Sequence, residues 1–272
     1  MKIVRHLNPH GTPSYAELLS DGTSRQLQGD PLHGFHSSQE QIPLGKILAP
    51  LIPTQILCIG INYRHHANET NSQIPQYPIL FMKNSAALQN PEDPIFLPRH
   101  LRSDRVDYEC ELAVVIGRTC KNVAASHALD FVLGYTCAND VSAREWQKNA
   151  GGGQWCRGKT FDTFCPLGPY LVTPDEIPDP QNLKLRTLLN RTVVQDWNTN
   201  DMIFSVAQII EFLSGSTTLL PGTVILTGTP HGVGMAAQPP RWLKPGDVVT
   251  VEIEKIGSLT NPVLEEELPS TS

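Results

Sequence analysis

The chain has 272 residues, 40% of them hydrophobic and 18% charged, which excludes a disordered tail and leaves ample apolar material for a core. With 27 acidic against 21 basic side chains it carries a net charge of -6, so an electrostatic nucleic-acid binder, which needs a basic stripe, is excluded. Its 23 prolines argue against an all-helical bundle, because proline inside a helix removes a hydrogen bond and clashes with the preceding turn.

Residues 1–50 are rich in Gly, Pro, Ser and His and predict weak strands at 2–7 and 16–19, within a small N-terminal subdomain. Residues 51–272 then form the main domain. The start, Met1-Lys2-Ile3-Val4-Arg5-His6, lacks the apolar core of a signal peptide, and no stretch approaches the ~18 apolar residues of a membrane span. A protein of the cytoplasm, or of the mitochondrial matrix in a eukaryote, without a membrane partner, is expected. The continuous apolar run 56–61 predicts a buried strand, and 79–82 a second. Between them the polar segment 62–78 is long for a compact domain, as lids and binding loops are.

Further strands are predicted at 109–117 and 131–139. Ser142 and Glu145 match the S-x-x-E capping box and predict a helix start. Ser205 and Gln208 repeat that pattern, with Phe204 and Ile209 as a hydrophobic staple and Gly215 as the stop. Residues 224–226 read as a short strand, and in the last hairpin Val249, Val251 and Ile253 alternate with polar residues. Many short strands with few helices indicate a β-rich α+β fold. The six cysteines lie mostly in apolar runs and form no C-x-x-C pair, which fits small buried hydrophobes in a reducing compartment.

Glu109 and Glu111 are two apart on a predicted strand, so both face the same side, followed there by Ala113 and Val115. Two buried carboxylates on one face repel and are costly to desolvate, and a hard divalent cation with oxygen ligands would offset that cost. Asp140, just after the next strand, offers a third carboxylate for Mg2+ or Mn2+; the absence of His and Cys from the motif disfavours zinc. Spacing alone equally allows a solvated strand face and an Asp140 that caps a helix. Arg144 and Gln147 follow at helical spacing from Asp140, and Lys159 comes later; these groups can hold an anionic substrate, or be an exposed basic helix with a surface lysine.

Taken together, five ordered motifs resemble the fumarylacetoacetate hydrolase family. They are Gly60-Ile-Asn62-Tyr63-Arg-His-His66-Ala-Asn-Glu69, Asp107-Tyr-Glu109-Cys-Glu111 through Gly117, Gly134 through Asp140 to Gln147, Gly158-Lys159 through Pro169, and Thr227-Gly-Thr229-Pro-His-Gly-Val-Gly234. The likeness runs from about Gln55 to Gly257. It implies a mixed-sheet β-roll, a homodimer, and Mg2+ or Mn2+ held by Glu109, Glu111 and Asp140. Cys110 and His231 depart from the family pattern, at positions that supply no metal ligand.

The resemblance further implies a small-molecule 2-oxo acid or β-dicarbonyl substrate and a metal-stabilised enolate. Lys159 and Arg144 would add positive charge, Gln147 a hydrogen bond, and Gly228 and Thr229 contacts to a distal carboxylate. His66 and Glu69, neighbours in one helical turn, would be the acid–base pair carried by the 62–78 segment. Likeness to one branch, through Val193-Val194-Gln195, Asn198 to Met202 and Pro239 to Asp247, points to oxaloacetate keto–enol tautomerisation. Acylpyruvate-type C–C hydrolysis and oxaloacetate decarboxylation share the same enolate and stand as alternatives. A non-catalytic metal-binding protein is the alternative of another class.

Overall fold

The computed structural model describes residues 1–268. Strands dominate, in two mixed sheets and one two-stranded antiparallel pair. The larger runs Gly34–Gln41, Ser24–Asp30, Pro13–Leu18, Lys2–Leu7, Cys165–Val172, Val132–Asn139, Cys110–Ile116, Thr223–Leu226, Gln55–Gly60, Ile79–Lys83. Residues 1–50 join it by backbone pairing, Lys2 against Val172 and Ile3 against Leu171. The smaller sheet runs Thr192–Asn198, Lys184–Leu189, Val248–Ile253, Gly257–Glu265, Ile95–Leu97. This is the β-rich α+β architecture expected from the strand count. The hairpin reading also holds: Val249, Val251 and Ile253 are buried while their neighbours are not.

The alternation along Cys110–Ile116 divides the core in two. Ala113 and Val115 pack in one apolar cluster, and Cys110, Leu112, Val114 and Ile116 in the other. The second cluster also holds Ile209, Ile210 and Leu213 from the helix Val206–Ser214, which presents its apolar face to the sheet. That helix starts as its sequence requires: the Ser205 side chain accepts from the Gln208 amide and Gln208 caps back, with Gly215 at the end.

The second expected capping box is not formed. Ser142–Ala143 is instead a two-residue strand paired with Val106–Asp107, and Ser142 Oγ donates to Asp140 O at 2.9 Å. The Glu145 carboxylate is occupied by the Ser103 hydroxyl and the Asp104 amide. Helical backbone begins only at Arg144 and runs into the wide turn Trp146–Ala150. Long-range pairing has therefore overridden a local signal.

Candidate active site

The carboxylates meet because of strand register. In the hairpin of Cys110–Ile116 with Val132–Asn139, Cys110 pairs with Asn139, so the next residue, Asp140, comes to lie opposite Glu109. The Asp140 amide donates to Glu109 O at 2.9 Å, and the Asn139 side chain accepts from the Glu109 amide at 3.0 Å. Glu111 follows on the same face, as strand alternation requires. One carboxylate oxygen from each of Glu109, Glu111 and Asp140 lies within 4.8 Å of the others, all three buried.

Cations surround two of the three. Lys159 Nζ lies 2.7 Å from both Glu109 Oε2 and Asp140 Oδ2, and Arg144 Nη2 is 2.8 Å from Glu109 Oε1. Burial alone would push the Glu109 carboxyl up, but the Lys159 ammonium and the Arg144 guanidinium outweigh it and hold it well below the usual carboxylate range. Conversely, burial disfavours charge on Lys159 and Arg144, yet their carboxylate neighbours keep both firmly protonated. Glu111 differs. Its one directed partner is the Gly228 amide, 2.6 Å from Oε2, and burial together with Asp140 and Glu109 drives its pKa well above the ordinary value.

The residues fit a divalent cation. The buried carboxyl groups Asp107, Glu109, Glu111 and Asp140 outnumber the buried cations Lys83, Lys159 and Arg144 by one, and Glu111 is the one with no cation in contact. The donor set is three carboxylates, which suits a hard ion. Asp140 Oδ1 has an open orbital as well. Lys83 Nζ lies 2.6 Å from it, while the same ammonium also reaches the carbonyls of Val141, Lys159 and Phe164, which compete for its three hydrogens.

His66 and Glu69 sit on the helix Arg64–Glu69, against this cluster. His66 Nδ1 is 2.7 Å from Glu69 Oε1, and Glu69 Oε2 accepts from the Gly232 amide at 2.8 Å. A carboxylate can only accept, so Nδ1 carries the hydrogen and Nε2 has the free lone pair. Asn62 fixes the start of this segment: its side chain donates to Phe204 O and Thr227 O and accepts from the Phe204 amide. His66, Glu109, Glu111, Arg144, Gln147, Lys159 and Thr229 line one cavity of about 130 Å³, roofed by Trp155 and Met235.

Several placements refine the sequence reading. Arg144 and Gln147 do meet, Nη1 to Oε1 at 2.9 Å. Arg144, however, spends most of its donors on Asp107 and Glu109. The Gly228 amide holds Glu111 and is not free for a substrate carboxylate. Gly228 sits at φ +99°, and a Cβ there would fall 2.7 Å from Asn62 Cβ, so the turn requires glycine. Cys110 points into the opposite core face, away from the cluster.

Sequence reasoning missed Asp107 and Lys83. Asp107 accepts from Arg144 and from the amides of Gly234 and Met235, tying the hairpin to the Gly-rich turn. It shares strand parity with Glu109 and Glu111. Lys83 shares parity with buried Phe81 at the end of Ile79–Lys83, and an inward-phased lysine was the available signal.

Comparison with known proteins identifies the family. The family described as Fumarylacetoacetate (FAA) hydrolase C-terminal matches residues 55–264. The chain is 51% identical over 219 residues to "Oxaloacetate tautomerase fahd2, mitochondrial" of Xenopus laevis, covering 80% of this chain and 68% of that one. It is 49% identical over 218 residues to "Oxaloacetate tautomerase FAHD2A, mitochondrial" of Homo sapiens, covering 80% and 69%. Among solved structures, 5-carboxymethyl-2-hydroxymuconate delta-isomerase from Mycobacterium smegmatis superposes with a TM-score of 0.85 at 39% identity, over 98% of this chain and 100% of that one. With the family match spanning most of the chain and its motifs assembled around one cavity, the protein belongs to the fumarylacetoacetate hydrolase family and is an enzyme of that family.

Proposed function

We propose that the protein is a divalent-metal-dependent oxaloacetate keto–enol tautomerase, with Glu109, Glu111 and Asp140 as ligands for Mg2+ or Mn2+. The observation that carries the reading is that one small cavity is lined by Glu109 and Glu111 of the carboxylate triad and by His66, whose Nδ1 is held by Glu69. The names of the Xenopus and human relatives supply the substrate.

A divalent cation at the triad would supply Lewis acidity to the 2-oxo oxygen of the substrate, so that a proton on the neighbouring carbon becomes easier to remove. His66 Nε2 is the base that takes this proton and returns it at the enol oxygen. Glu69 holds the imidazole in the required tautomer and stabilises its charged form. Lys159 keeps one ammonium hydrogen beyond its two carboxylates, and Arg144 one guanidinium hydrogen beyond Asp107, Glu109 and Gln147, for the substrate carboxylate. Thr229, and Gln147 beside Arg144, add polar contacts from the cavity lining.

The test follows enol absorbance of oxaloacetate with purified protein, with and without added Mg2+ or Mn2+. Chelation is expected to abolish turnover, and His66→Ala to lower kcat by about 10²–10⁴-fold, the usual contribution of a general base. Product analysis separates tautomerisation from C–C cleavage and from loss of carbon dioxide. Full activity after chelation, or a wild-type rate in His66→Ala, would sink the reading.

The proposal includes a homodimer. Leu80 and Met82 are each 47% exposed on Ile79–Lys83, an edge strand of the larger sheet, beside exposed Ile74 and Tyr77. An uncovered apolar edge invites a second chain. Light scattering in solution that gives a monomer mass would remove this part.

A further inference from the structure

The geometry points to Gln195 as a positioning residue that makes Thr229 a hydrogen-bond donor toward the substrate, an inference that rests on the proposed site. Gln195 lies in the strand Thr192–Asn198 of the smaller sheet and is 2% exposed. Its orientation is fixed chemically. The Cys110 backbone N–H, which can only donate, points at Gln195 Oε1 from 3.0 Å. The Pro230 carbonyl, which can only accept, lies 2.9 Å from Nε2. An amide flip would set donor against donor and acceptor against acceptor, so one orientation survives. The Thr187 hydroxyl also donates to Oε1, at 2.7 Å.

The second hydrogen of Nε2 goes to Thr229 Oγ1, at 2.9 Å. A hydroxyl that accepts from an amide keeps its own hydrogen for another partner. Thr229 is 4% exposed and lines the cavity with Lys159, Arg144, Glu109 and Glu111. Its O–H is thereby left to donate to an anionic oxygen of the ligand. Gln195 touches neither ligand nor triad side chain; it acts through Thr229. The same amide grips the backbone between Glu109 and Glu111, so it ties the donor to the strand that carries two of the carboxylates.

The test uses Gln195→Met, Gln195→Glu, Thr229→Val and the double variant Gln195→Met/Thr229→Val. Affinity for oxalate in the presence of Mn2+ is read by titration calorimetry, KM and kcat for oxaloacetate by enol absorbance, and folding by thermal unfolding. Gln195→Met removes the donor without adding charge. Gln195→Glu keeps the shape and reverses the polarity, so that the Thr229 hydroxyl turns to the new carboxylate. Each single change is expected to weaken oxalate binding, Thr229→Val and Gln195→Glu by about tenfold, the scale of one hydrogen bond to a charged group, and Gln195→Met by less. KM should rise more than kcat falls, because the contact is to a carboxylate oxygen and not to the proton being transferred.

In the Thr229→Val background, Gln195→Met should change oxalate affinity by less than about twofold, as a residue acting only through Thr229 must. Losses that multiply in the double variant, or parent affinity in folded Gln195→Glu, would overturn the inference. Oxalate binding reports on the wall even if oxaloacetate is not the substrate, so failure of the proposed reaction and failure of this assignment give different patterns. If Gln195→Glu does not fold, the Gln195→Met and Thr229→Val cycle decides alone.

Discussion

Glu111→Gln should stabilise the metal-free protein and disable the metal-loaded one. Glu111 is 1% exposed, and its ligand oxygen lies within 4.8 Å of oxygens of Glu109 and Asp140. If Glu111 ionised at that separation, each neighbouring charge would repel it by about 3 kcal/mol at an effective dielectric near 20, and folding therefore carries the cost of holding this carboxyl toward its protonated form. Lys159 and the Gly228 amide offset part of that repulsion. A net relief of about 2 kcal/mol is a conservative figure once the offset is counted, because the amide keeps the Gly228 hydrogen bond and its new N–H2 faces two carboxylates. For a chain of this size that raises the metal-free unfolding midpoint by about 4–8 °C. The assay is thermal unfolding after chelation and again at saturating Mn2+. The parent should gain stability from the ion and the variant little, since a neutral amide replaces a charged ligand. A metal-free midpoint below the parent's, or an undiminished gain with Mn2+, would refute the reasoning.

Lys83→Met removes a fully buried ammonium from Asp140 and from three carbonyls, and should cost about 3–5 kcal/mol, seen as a fall of roughly 10 °C or more in the unfolding midpoint. Because Asp140 is then less neutralised, the midpoint should rise more on adding Mn2+ than it does in the parent; equal increments would show that Lys83 is structural only. At Gly158, an added Cβ would lie 2.3 Å from Gln147 N and 2.6 Å from Ala143 O, both rigid backbone atoms. Gly158→Ala should therefore displace Lys159, costing about 1–3 kcal/mol of stability and up to about 10²-fold in kcat, and a parent-like kcat would refute the placement.

What could be read from the sequence was whatever obeys a short period. Glu109 and Glu111 share a face by strand alternation, His66 and Glu69 meet at i and i+3, and the Ser205 box opens its helix. What stayed hidden depends on partners far along the chain. Lys83 and Asp140 come together only when the strand Ile79–Lys83 reaches the hairpin end, and Asp107 finds Arg144 across 37 residues. Ser142 failed for the same reason, since pairing with Asp107 outcompeted a local cap. Arg144 and Lys159 carried the right charge, but their chief task, neutralising carboxylates, depends on distances that no spacing rule supplies.

The choice of a strand hairpin rather than a loop for the triad has a physical consequence. Carboxylates on a mobile loop could turn to water when no ion is present and relieve their repulsion. Here Glu109 is clamped by Lys159 and Arg144, Asp140 by Lys83 and Lys159, and Glu111 by the Gly228 amide, each from a different element. None can relax without breaking a buried contact. In the metal-free fold that repulsion is expressed as the raised pKa of Glu111, so a divalent cation at the triad would take the place of a proton. His66, tied through Glu69 to the Gly232 amide, and Thr229, tied to Gln195, are held by partners outside that hairpin, which under the proposed function would present substrate and ion with a preorganised site.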